Sequence, residues 1–161
     1  MRIAMSVALV LVVAATTPAG AQQDAPGFKV TLLDSRATFD SRDRLGKRPV
    51  VVRFQASWCK PCAKEAAGFA RLTERYRARG VDFIAVHVQD TTTETRRFIK
   101  AHKAPYAVAL DPRLAIANRF GFKGTPTTIV IDRKGKIAGR VDGETAVTRL
   151  PKMLDAALAD R

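Results

Sequence analysis

The chain reads as an α/β domain with a central mixed sheet, helices on both faces and an antiparallel hairpin towards the C-terminus. Three observations carry that reading. Short β-branched runs alternate with longer amphipathic segments, the order produced by crossover units and a largely parallel sheet centre. Late in the chain, two apolar runs are separated only by Arg133-Lys134-Gly135, a turn that suits a hairpin. Setting aside an export segment of 21 residues leaves 140 of the 161, the usual size of one domain with its own core.

That export segment is Met1 to Ala21. Arg2 precedes an almost unbroken apolar stretch from Ile3 to Ala15, Pro18 breaks it, and Ala19-Gly20-Ala21 supplies the small residues of a cleavage site. The stretch is shorter than the roughly 20 residues a membrane span needs, so a cleavable signal takes precedence over an uncleaved N-terminal anchor. With no cysteine near the cut, a lipid anchor on a new N-terminal cysteine is excluded. The mature protein is expected to work in the periplasm, where disulfides form and persist.

The mature chain then falls into elements. Gln22 to Gly27 is polar and reads as a flexible leader, followed by a domain over residues 28–161. Phe28 to Leu32 alternates like an edge strand, and Asp34 to Lys47 reads as a loop or short helix. Val50 to Phe54 is β-branched and suits a buried central strand, with Arg53 as the oddity inside it. Ala63 to Arg79 places Ala66, Phe69, Leu72 and Tyr76 at helical spacing, and Gly80 stops the run. Val81 to Val88 is the next strand and Thr91 to His102 a second helix with a threonine cap. Tyr106 to Leu110 is a short strand. Asp111 then suits the N-cap, and Pro112 the first position, of a short helix ending near Phe120-Gly121. Thr127 to Asp132 and Lys136 to Val141 form the hairpin, and Thr145 to Ala159 is the closing helix.

Lys and Arg number 28 against 15 Asp and Glu; without Arg2 the mature domain keeps 27 against 15, a net +12. A basic surface can meet nucleic acid, anionic lipid or an acidic protein. Here the charges are scattered and no nucleic-acid module is visible, so a solvated basic surface is the reading and nucleic acid is set aside.

The only two cysteines, Cys59 and Cys62, sit in Trp58-Cys59-Lys60-Pro61-Cys62, between the apolar strand and the first long helix. Such a pair can close a small ring or hold two thiols on one helical turn. As a staple it would constrain little chain, so a structural disulfide is the weaker option. Cys59 falls at the helix N-terminus, where free N–H groups and the dipole favour an anion, and Lys60 adds a neighbouring positive charge. Both effects favour thiolate, the species that attacks disulfides, and Cys62 lies one turn on, placed to resolve the mixed disulfide. A zinc or copper module is the non-enzymatic alternative, but only His87 and His102 could join the pair and a structural zinc site wants about four ligands. His87 reads as strand packing and His102 as a favourable charge at a helix end. No resident metal or cofactor is implied.

Phe54-x-Ala56-Ser57-Trp58-Cys59-x-Pro61-Cys62, with Gly124-Thr125-Pro126-Thr127-Thr128 some sixty residues on, resembles the thioredoxin family. The export segment, Glu65 three residues after Cys62, and the Thr-Pro-Thr-Thr-x-x-x-Asp run are similar to its TlpA/ResA-like branch. The resemblance implies a thioredoxin fold and thiol–disulfide oxidoreductase activity. It makes Cys59 the exposed attacking thiol and Cys62 the buried resolving one. It makes Thr125-Pro126 a cis bond beside the cysteines, with Thr125 free to pair with a substrate strand and Trp58 shaping the same surface. Glu65 becomes a residue that tunes thiol protonation. The implied partners are protein thiols or disulfides, as on apocytochrome c or copper-delivery proteins, and a membrane thiol-electron donor; a monomer is the working expectation. A disulfide-forming oxidase of the same fold is the alternative within the family, and Lys60 and Arg53 would favour it by stabilising thiolate. A peroxidase would need a Pro-x-x-x-Thr-x-x-Cys arrangement, which the chain lacks. Two departures stand out: Arg53 occupies a position often acidic or amide in the family, and Gln55 one commonly tryptophan. Ala66 and Ala67 stand where a proline is common. An inward Arg53 would tune the site by raising thiolate content; an outward one would be a surface charge.

Overall fold

The computed structural model describes residues 22–35 and 37–160; the export segment lies outside them. Two sheets form. The larger has five strands, β3 (Val50–Gln55), β4 (Asp82–Val88), β5 (Ala107–Asp111), β6 (Thr127–Ile131) and β7 (Ile137–Asp142), in the spatial order β5-β4-β3-β6-β7. β3, β4 and β5 are parallel, while β6 runs antiparallel to β3 and β7 antiparallel to β6. The sheet is therefore mixed, with the terminal hairpin in place. β1 (Lys29–Thr31) does not join its edge. It pairs in a separate antiparallel ribbon with β2 (Thr38–Asp40), which lies inside the stretch expected as a loop or short helix.

β3 is buried along its whole length because both faces of the sheet are covered, which is why its sequence does not alternate. One face carries Val50, Val52 and Phe54 with Ile84, Val86 and Ile129. Phe28 and Phe39 of the ribbon stack at 5.7 Å and reach that face through Phe120, which lies 5.5 Å from Phe54. The other face holds Val51 and Phe83 against Phe69, Leu72 and Tyr76 of α1 (Lys60–Arg77) and Leu150 and Leu154 of α3 (Ala146–Ala159). α1 and α3 come close at Gly68, where a Cβ would stand 3.1 Å from the methyls of Val147. α2 (Thr92–His102) opens with a capping box between Thr91 and Glu94 and ends at Lys103 in the left-handed conformation.

Two local expectations change. Gln23 to Ala25, read as part of a flexible leader, is hydrogen-bonded: Ala25 N–H to Gly135 C=O and Ile137 N–H to Gln23 C=O, both at 2.8 Å. The hairpin edge offers unpaired backbone groups, and this segment takes them. Asp111 does not cap a helix beginning at Pro112. Its buried carboxylate instead accepts from the N–H groups of Ala115, Ile116 and Ala117, at 2.7–2.9 Å, and only a 3-10 turn follows at Ala117–Phe120. One ionised group satisfying three free donors outweighs the regular cap. No helix among the described residues is long and apolar enough to cross a membrane.

Leu154 is fully buried where α3 meets the sheet. Leu154→Ala is expected to cost about 2–5 kcal/mol, read as a lower urea midpoint at unchanged m-value.

Candidate active site

β3 ends at Gln55, and the chain turns through Ala56-Ser57-Trp58 before α1 begins at Lys60. Cys59 thus takes the N-cap of α1, with Pro61 in the first turn, where its missing N–H is no loss. Cys59 and Cys62 are joined by a disulfide with Cα atoms 5.2 Å apart, and Cys59 Sγ accepts the Cys62 N–H at 3.2 Å. A free N–H of the helix terminus therefore points at the sulfur, the arrangement that stabilises a thiolate once the bond is reduced.

The expected exposure of Cys59 is corrected in this oxidised state: Cys59 is 3% exposed and Cys62 1%. Bonding to Cys62 and to its N–H draws Cys59 Sγ inward, among Phe54, Ala56 and Ala66. The exposed group of the motif is Trp58, at 58%. Lys60 is also exposed, at the first position of α1.

Thr125-Pro126 is a cis bond. β6 runs antiparallel to β3 with Thr127 opposite Phe54, so the start of β6 lies beside the end of β3 from which the cysteine turn departs. Pro126 C=O accepts the Gly143 N–H at 2.8 Å.

Arg53 points inward and is 1% exposed. Its Nη2 donates to Glu65 Oε2 at 3.0 Å, Nη1 to Thr128 Oγ1 at 3.2 Å and Nε to Gln55 Oε1 at 3.1 Å, and its guanidinium lies over the Phe69 ring. Burial pushes its pKa below the usual arginine value, and the facing Glu65 opposes that shift. The inward orientation therefore adds less positive charge near the thiols than an unpaired arginine would, because Glu65 answers it. Glu65 also accepts the Val147 N–H of α3 at 3.4 Å.

Sequence reasoning passed over Gln55, His87 and Asp90 as site residues. All three are buried, and they continue the hydrogen-bond chain from Arg53 to Ser57, two residues before Cys59. The available signal was three polar residues, Arg53, Gln55 and His87, in two strands otherwise apolar enough to be central. His87 binds through both ring nitrogens and His102 stacks on Phe98. Among the described residues, no three His, Cys, Asp or Glu side chains gather as a metal site would need.

The AhpC/TSA family profile matches residues 21–140. The chain belongs to the AhpC/TSA family. Among proteins similar to this AhpC/TSA-family chain is the thiol-disulfide oxidoreductase ResA of Bacillus thuringiensis subsp. konkukian (strain 97-27), 32% identical over 132 residues, 82% of this chain and 75% of the relative. The thiol:disulfide interchange protein HelX of Rhodobacter capsulatus is 29% identical over 140 residues, 86% of this chain and 77% of HelX. Among solved structures, a putative thiol:disulfide interchange protein DsbE from Chlorobium tepidum superimposes with a TM-score of 0.77 at 29% identity, covering 85% of this chain and 96% of that one. The fold is thioredoxin-like and the chain is a thiol–disulfide oxidoreductase.

The Arg53–Glu65 pair yields a test. Arg53→Met or Glu65→Leu alone strands a buried charge and is expected to cost about 3–5 kcal/mol, while the double variant costs less than the two added together. Urea unfolding of the four proteins measures this; additive costs would mean the two side chains do not depend on each other.

Proposed function

We propose that this protein is exported through the segment 1–21 and reduces disulfides in other proteins of the periplasm, acting as a monomer. The observation that carries the reading is the Cys59–Cys62 pair at the N-terminus of α1, with a helix N–H aimed at Cys59 Sγ. In the reduced protein, Cys59 thiolate attacks one sulfur of a substrate disulfide and the other sulfur leaves as a thiolate. Cys62 thiolate then attacks Cys59 Sγ of the mixed disulfide and releases the second substrate sulfur. The balance is two electrons passed to the substrate, whose two thiolates take protons from solvent as Cys59 and Cys62 gave theirs up, with the Cys59–Cys62 disulfide left behind. A membrane thiol-electron donor returns the dithiol by the same exchange in reverse.

Trp58 and the Thr125-Pro126 edge form the surface a substrate peptide crosses. Support comes from the exposure of Trp58 beside the cysteines and from Thr125, whose own N–H and C=O bond to no other described residue. Such an edge can accept an added strand. Lys60, Glu65 and Arg53 tune the thiols: Lys60 through an exposed charge, the other two as a neutralised pair behind Cys62. That neutralisation removes part of the charge argument for an oxidase and favours the reductase direction. The substrate class is protein thiols of the kind found on apocytochrome c or copper-delivery proteins, a reading that rests on the TlpA/ResA-like resemblance.

Cys62→Ser is expected to accumulate mixed disulfides through Cys59 when expressed in the periplasm, and mass spectrometry of the adducts names the partners. Cys59→Ser accumulates few. Equal or better trapping by Cys59→Ser would overturn the assignment of attacking and resolving roles.

A further inference from the structure

A path of hydrogen bonds, buried except at its Ser57 end, leaves the chain just before the disulfide and returns just after it. From Ser57 it passes through Asp90, His87, Gln55 and Arg53 to Glu65, one helical turn beyond Cys62. Gln55 and His87 stand opposite each other in the parallel register of β3 and β4, so their side chains share one face of the sheet.

The donors and acceptors along this path fix every proton on it. Arg53 carries donors only, so Gln55 must turn its oxygen towards Arg53 Nε, 3.1 Å away. Reversing the amide would set its NH2 against that N–H, donor facing donor. The Gln55 NH2 therefore faces His87 Nε2 at 2.8 Å and the Tyr106 hydroxyl at 3.4 Å. His87 Nε2 must accept, so it bears no proton; the ring proton sits on Nδ1 and is donated to Asp90 Oδ2 at 2.8 Å. The same Oδ2 accepts the Ser57 N–H at 2.7 Å, and Oδ1 accepts the Ser57 hydroxyl at 2.8 Å. Ser57 belongs to the turn that sets Trp58 and Cys59, and the turn is closed by Cys59 N–H bonding to Ala56 C=O at 3.2 Å.

We propose that His87, held neutral in its Nδ1–H form by Gln55, is a positioning residue for thiol exchange that steers Asp90 onto Ser57, and that its protonation breaks the Gln55–His87 contact and so shifts the Trp58–Cys59 turn that Asp90 holds. The proposal rests on the exchange reading of Cys59 and Cys62. A second ring proton would place a donor at Nε2 against the Gln55 NH2, and the amide cannot turn round without opposing Arg53. The contact must open.

The surroundings agree with this. Burial pushes the His87 pKa below the usual histidine value, with Asp90 opposing. Besides Asp90, the ring meets Gln55 on β3, and the edge of Phe98 on α2 at 5.4 Å; His102 stacks on that phenylalanine. Arg53 and Tyr106 stand one contact further on, through Gln55. The unfolded chain takes up the proton near the free value of about 6.5, before the folded one does. The stability that neutral His87 provides is thus complete above that pH and falls as pH is lowered.

The test uses the full mature chain, oxidised so that no thiol titrates. First, His102→Asn leaves one imidazole of the two, and nitrogen NMR is expected to show His87 neutral and protonated on Nδ1 at pH 7. An Nε2–H tautomer or an imidazolium at that pH overturns the proposal. Second, Trp58, the only tryptophan, reports on the turn. Its fluorescence is expected to step as pH falls from 7 to 4 and to lose that step in His87→Gln, which keeps a donor and an acceptor but does not titrate. A step that persists in His87→Gln overturns it. Third, the ratio of wild-type to His87→Gln rates of reduction by dithiothreitol is followed from pH 8 downwards. Through the step it should fall roughly tenfold, on the scale of one hydrogen bond. A ratio constant with pH overturns it. If His87→Gln does not fold, the NMR arm decides alone. Failure of the exchange reading would appear separately, as an absence of Cys59 adducts in Cys62→Ser.

Discussion

The burial of a guanidinium in the central strand is the constraint on which the rest of the site depends. Arg53 cannot lose its charge at any physiological pH, and a charge removed from water must be matched by partners or the strand will not stay buried. Glu65, Thr128 and Gln55 supply those partners, and each is thereby fixed in turn. Glu65 is held against both β3 and α3, which ties the first turns of the cysteine-bearing helix to the sheet. Gln55 has its amide orientation set, and with it the tautomer of His87.

The consequence is a site built on two kinds of support. On one face of the sheet, Cys59 and Cys62 lie in an apolar cluster with Phe54, Ala56 and Ala66, which keeps water from the sulfurs in the oxidised state. On the other, the polar chain holds both sides of the motif, through the Ser57 N–H before it and the Glu65 carboxylate after it. Apolar packing alone holds a turn to within what side chains can fill, whereas a charge-assisted hydrogen bond fixes direction as well as distance. The exchange proposed at Cys59 needs both, because an attacking sulfur must line up with the disulfide it opens.

Much of this was legible in the sequence. The order of elements, the hairpin and the cysteine pair at a helix start follow from local pattern and spacing, while Pro126 as a partner to the cysteines is what the thioredoxin-family resemblance implies. β2 and its pairing with β1 escaped, because a three-residue strand carries too little periodicity to separate from loop. The docking of Gln23 to Ala25 escaped because it depends on a sheet edge formed more than a hundred residues away. Arg53 was visible as an anomaly, yet its direction was not. A strand buried on both faces gives no alternation from which to read it, and its partner lies on a helix. His87 and Asp90 were each unremarkable alone, and Gln55 stood out only as a departure from the family's usual tryptophan. They become a site only through the β3–β4 register, which a single sequence does not specify.

In the proposed reaction Cys59 and Cys62 pass two electrons to protein disulfides, and a redox titration against glutathione tests this most directly. With mass spectrometry counting free thiols, the account predicts one reversible two-electron transition, with a potential nearer thioredoxin's roughly −270 mV than the roughly −120 mV of a strong oxidant. A pair that stays oxidised throughout, or that opens without closing again, would contradict the exchange. A potential near the oxidising end would contradict its direction.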